Sequence, residues 1–136
     1  MRRTCTPSRE PAARAEYKKV HLSTPKGRTY SLWYNARHRA RKTGILFTLE
    51  LEVLRVWAKT GKCAATGILI DWTAGRGRDV GAHIRGPSLD RIGPGGYTNE
   101  NTRLVCSGFN SLKGSSTDAE AWRFIEQARR HRRVKK

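Results

Sequence analysis

The stretch that decides the fold is Ser88-Leu89-Asp90-Arg91-Ile92-Gly93-Pro94-Gly95-Gly96, continuing through Asn101 to Thr102-Arg103-Leu104-Val105-Cys106. Residues 88–92 read as a short strand. Gly93-Pro94-Gly95-Gly96 is a strong turn signal. Residues 102–106 alternate and are β-branched enough for a second strand. Phe109, Leu112 and Lys113 follow at a spacing that predicts a helix from about Ser107, so residues 62–116 form a ββα unit.

Two amphipathic helices precede this unit, over 29–61. Ser31 is a candidate cap for a helix running to Lys42, with Gly44 at its C-terminal cap. Thr48 is a candidate cap for a helix over 49–59, in which Leu51, Leu54, Trp57 and Ala58 recur at helical spacing and Gly61 ends the run. Downstream, Thr117-Asp118-Ala119-Glu120 matches a capping box and opens a helix through about His131. Residues 1–28 hold eight basic and two acidic residues with little apolar surface. They are expected to form a flexible basic arm, either a solvated terminus or a DNA-contacting one. Residues 132–136 form a basic tail. The expected fold is α+β, one globular domain over about 29–131 with basic flexible termini.

Composition bounds the function. Among 136 residues, 28 are Lys or Arg and 11 are Asp or Glu, a formal charge of +17. Such a surface attracts polyanions, so nucleic acid is the first partner to consider. Apolar residues make up 37%, below the roughly 45–50% usual for globular domains, which permits only a small core. No run approaches the ~18 apolar residues of a membrane span, and the opening residues lack the apolar segment of a signal peptide. Three cysteines are too few for a disulfide framework. These features predict an intracellular protein without a membrane partner.

Several basic groups are candidate phosphate contacts: Arg37 and Arg41 in the first helix of the 29–61 pair, Arg76, Arg78 and Arg85 in the glycine-rich stretch 73–87, and Arg129 and Arg130 near the C-terminus. Each is also compatible with plain solvated charge. Gly75-Arg76-Gly77 does not complete a GxGxxG fingerprint.

Asp90-Arg91-Ile92, Gly96-Tyr97-Thr98-Asn99-Glu100-Asn101-Thr102-Arg103-Leu104-Val105-Cys106 and Phe109-Asn110-x-x-Lys113 together resemble the HNH (ββα-metal, or His-Me finger) endonucleases. The likeness is to a small phage-encoded branch similar to endonuclease VII-like resolvases, and it covers roughly residues 62–114. The resemblance implies an HNH-like core hydrolysing phosphodiester bonds in DNA with one divalent ion, Mg²⁺ or Mn²⁺. It implies Asp90 and Asn110 as metal ligands, Asn101 as the brace of the loop, and Lys113 beside the phosphate. The family's general base is a His directly after the Asp, and here that position is Arg91. Arginine cannot accept a proton near neutral pH, so Arg91 is expected to clamp a phosphate, leaving His83 as the substitute base. Zinc-binding CxxC pairs of the family are reduced here to Cys63 with Thr66 and Cys106 with Phe109. Two thiolates do not fill a structural zinc shell, so no zinc is expected and the two cysteines are expected to be buried free thiols. Two alternatives stand beside the nuclease: an inactive DNA-binding protein on an HNH scaffold, and an RNA-binding protein.

Overall fold

A computed structural model describes residues 10–73 and 83–135. Its described residues form an α+β fold of five helices and a two-stranded antiparallel sheet, in the order α1 (Pro11–Leu22), α2 (Pro25–Thr43), α3 (Leu51–Thr60), β1 (Pro87–Arg91), β2 (Thr102–Cys106), α4 (Ser107–Lys113) and α5 (Asp118–Val134).

The arm expected over 1–28 is helical from Pro11, and residues 25–28 belong to α2. No residue of α1 is buried, so apolar periodicity does not reveal it. α2 begins six residues ahead of Ser31. The Thr24 hydroxyl accepts the Gly27 amide at 3.1 Å and Pro25 occupies the first turn, a stronger start signal than Ser31. The corner between α1 and α2 is tight. A Cβ on Gly27 would lie 2.0 Å from the His21 carbonyl oxygen, so glycine is required there.

α2 and α3 end as expected, on Gly44 and Gly61 at φ 67° and 66°, the left-handed conformation glycine adopts without strain. α3 starts later than Thr48 because the Thr48 and Leu49 amides both donate to the Tyr97 carbonyl, at 2.8 and 2.9 Å. These bonds draw 47–49 into an extended bridge with the loop after β1. Asn99 completes the tie: its Oδ1 accepts the Glu50 amide at 3.0 Å and its Nδ2 donates to Glu50 Oε1 at 2.9 Å.

β1 and β2 pair with Leu89 opposite Leu104 and Asp90 opposite Arg103. Leu54, Leu104 and Val105 are fully buried. They join Leu89, Phe109 and Ala121 in the core between the sheet, α3, α4 and α5. Thr117 and Glu120 make the expected reciprocal capping box at the start of α5. Among the described residues, no helix is long and apolar enough to cross a membrane.

Candidate nucleic-acid interface

β1 carries Asp90 inward at its C-terminal end, and α4 runs back across the hairpin so that Lys113 meets it. Both side chains are almost fully buried, at 3% and 2% exposure. Lys113 Nζ donates to Asp90 Oδ1 and Oδ2 at 2.9 and 3.1 Å and to the Arg91 carbonyl at 2.7 Å. From the partner strand, Arg103 Nε donates to Asp90 Oδ2 at 2.9 Å. The same guanidinium forks onto Asp118 at the start of α5, at 2.8 and 2.6 Å. Two carboxylates and two cations therefore form one neutral cluster that joins β1, β2, α4 and α5.

The electrostatics follow from this geometry. Burial lowers the tendency of Arg103 to stay charged, but its hydrogen bonds to Asp118 and Asp90 outweigh that and hold its pKa above the ordinary value. The hydrogen bond from Arg103 likewise holds the Asp118 carboxyl below its usual range. Folding thus favours the charged form of Asp118. Its contribution is fully present above the unfolded carboxylate value near pH ~4 and is lost as pH falls through the lower folded value. Wild-type stability should accordingly fall more than that of Asp118→Asn when urea unfolding is repeated from pH 5 down to pH 3. Equal losses would show that the Arg103–Asp118 pair is not coupled to folding.

Around this cluster lies an open cleft of about 440 Å³. Its walls come from α2 (Arg39), β1 with its loop (Ser88, Arg91, Tyr97), α4 (Asn110) and the turn into α5 (Ser115 to Thr117), with Asp90 and Lys113 at its base. Arg91 is exposed and braced, donating to the Gly95 carbonyl at 2.9 Å and lying 5.3 Å over the Tyr97 ring. Asn110 Nδ2 donates to Ser88 Oγ at 2.7 Å and to the Leu89 carbonyl at 3.2 Å. Asn101 closes the 93–96 turn from within, accepting the Gly93 amide at 3.0 Å and donating to the Gly96 carbonyl at 2.9 Å.

The structure brings Asp90, Arg91, Asn110 and Lys113 together and keeps His83 apart. His83 lies before β1, where the next residue, Ile84, packs on Gly108 in the first turn of α4. Its Nδ1 accepts the Arg85 amide at 3.3 Å. Its electrostatic neighbour is Asp71, and it is not among the described residues lining the cleft. It does not share that cleft with Asp90. Lys113, expected at a phosphate, is buried and occupied by Asp90 and backbone carbonyls.

At the expected metal pair, Asp90 is already engaged. Both Asp90 oxygens already hold cationic donors, while the Asn110 bonds to β1 and Ser88 are donated by Nδ2. Among the described residues no group of three or more His, Cys, Asp and Glu side chains gathers. A divalent ion at Asp90 would have to displace Lys113 into a buried position without its counter-charge, which is costly. In this arrangement Asp90 is held by cations and is not open to Mg²⁺ or Mn²⁺.

Of the other basic candidates, Arg37 stacks 5.3 Å over Trp33, and Arg41 is exposed in the last turn of α2. The α2 cation at the cleft is Arg39, two residues from each and so turned by roughly 200° around the helix. Arg85 donates to the Leu69 carbonyl at 3.1 Å and lines a different, apolar hollow. Arg129 and Arg130 are exposed on α5, loosely paired with Glu126 at 3.8 and 3.9 Å. Arg76 and Arg78 lie outside the described residues. Sequence reasoning missed Arg39, Arg103 and Asp118. The one readable trace of the cluster is the opposite charge of Asp90 and Arg103, which pair only once the hairpin register is known.

Cys63 and Cys106 are buried free thiols, as expected. The Thr66 hydroxyl bonds Cys63, and Phe109 is buried in the core. Burial, aided by the adjacent Cys63 sulfur, pushes the Cys106 thiol up to about 11. At Cys63 burial acts the same way but is outweighed by hydrogen bonds from Thr66 and nearby amides, which leave it below its ordinary value.

No family model, curated protein or solved structure matches the chain.

Proposed function

We propose that this chain binds nucleic acid, DNA in the first instance, through the cleft between α2, β1 and the α4–α5 turn. On this reading an HNH-like ββα scaffold holds the phosphate backbone without using a divalent ion. The observation that carries it is the neutral Asp90–Lys113–Arg103–Asp118 cluster. It ties up the carboxylate a metal would need, while Arg39 and Arg91 stand on the cleft rim with no carboxylate among the described lining residues other than Asp90. A cleft whose one acid is neutralised from below and whose rim is cationic attracts an anion, and guanidinium groups suit phosphate oxygens. The formal charge of +17 supplies the long-range attraction. Contacts of this kind fix position and carry no direct base information, so sequence preference is expected to be weak.

The test is the affinity of the full chain for a fluorescein-labelled duplex, compared with Arg39→Glu/Arg91→Glu. Removing both rim cations should weaken binding by at least about tenfold at 0.1 M salt. An unchanged affinity would place the interface elsewhere. Tighter binding to structured RNA than to DNA would favour the RNA-binding reading, and metal-dependent cleavage would favour the nuclease.

A further inference from the structure

A second hollow lies at the opposite end of α2. It measures about 580 Å³ and is set between the first turn of α2, the last turn of α3 and Trp72. Its lining is mostly apolar, with Pro25, Ala58 and Trp72 among its residues, while Lys26, Arg55 and Lys59 stand around it. The buried Arg28 donates to the Trp72 carbonyl oxygen at 2.9 Å, and the Trp72 side chain packs partly buried against the core. Arg55 pairs with Glu52, while no ion pair of Lys26 or Lys59 is present among the described residues.

From this juxtaposition we infer that the hollow takes an unpaired base of single-stranded nucleic acid, with the flanking phosphates on Lys26 and Lys59. This rests on the nucleic-acid reading above and narrows it to a strand with at least one unstacked base. Charge and shape complementarity support it. A flat aromatic base matches the apolar surface beside Trp72, and its phosphates match the two lysines; such stacking is sequence-tolerant because every base has a π-face. An acidic peptide would meet the lysines but leave the tryptophan side uncovered. In a duplex the bases are paired and stacked, so this contact is closed to it.

The experiment measures dissociation constants of the full chain for labelled oligothymidylate and for a blunt duplex of equal length. Trp72→Leu should weaken oligothymidylate binding about five- to hundredfold and change duplex binding by less than about twofold. Lys26→Gln/Lys59→Gln should weaken oligothymidylate in the same direction, and it leaves the apolar surface intact should Trp72→Leu fold poorly. The inference is overturned if both variants bind oligothymidylate like the wild type, if duplex binding falls equally, or if polyglutamate competes as well as the oligonucleotide. If the wild type binds the duplex but not oligothymidylate, this inference alone fails. If it binds neither at low salt, the nucleic-acid reading fails first.

Discussion

Replacing Lys113 with methionine is expected to destabilise the chain by about 3 kcal/mol, the lower end of what removing one member of a buried ion pair costs. The lower end applies because Arg103 remains on Asp90 Oδ2 at 2.8 Å and shares the uncompensated charge. The Arg91 carbonyl, which accepts from the ammonium at 2.7 Å, would also be left without that donor. Methionine keeps the apolar stem length, so the effect reports charge and hydrogen bonds rather than a cavity. Adding Asp90→Asn to Lys113→Met should recover part of the stability, since the buried charge goes with its partner. Urea unfolding of the two variants decides it. A destabilisation under about 1 kcal/mol for Lys113→Met is the range of exposed pairs and would mean that water reaches the cluster.

The second large effect concerns binding. If six phosphates are neutralised, affinity for duplex DNA should fall about a thousandfold between 50 and 200 mM salt, because each neutralised phosphate releases counterions. The exposed cations of α5 are the natural contributors beyond the cleft. Changing Arg129, Arg130, Arg132 and Arg133 to Gln should reduce the slope of log affinity against log salt by about 0.9 for each phosphate no longer neutralised. An unchanged slope would show that α5 does not touch the backbone.

What the sequence reveals about this protein depends on range. Gly44, Gly61 and the Thr117–Glu120 box act within one helical turn, and each falls where local chemistry puts it. β2 is read at its observed bounds because alternation and β-branching are local too. Asn101 sits just before β2, and its short reach lets it bond residues five to eight positions away. The site depends on longer distances. Arg103 reads as one more strand residue until the hairpin register sets it opposite Asp90. Lys113 reads as an exposed charge in the last turn of a helix until α4 folds back over β1 and buries it. Arg39 is one of several cations in Arg37–Lys42, and only the docking of α2 chooses which one faces the cleft. His83 is close to Asp90 in sequence, but a turn over 83–86 separates it from β1, and Asp90 sits near the far end of that strand.

The Asp90 cluster, on this reading, supports a binding surface and leaves no place for a catalytic ion. The most direct test incubates supercoiled and branched DNA with the full chain in EDTA, in Mg²⁺ and in Mn²⁺, reading binding and cleavage from the same samples. DNA retention that does not require a divalent ion is expected, with no cleavage products in any of the three conditions. Cleavage that requires Mg²⁺ or Mn²⁺ and disappears in a folded Asp90→Asn variant would contradict it.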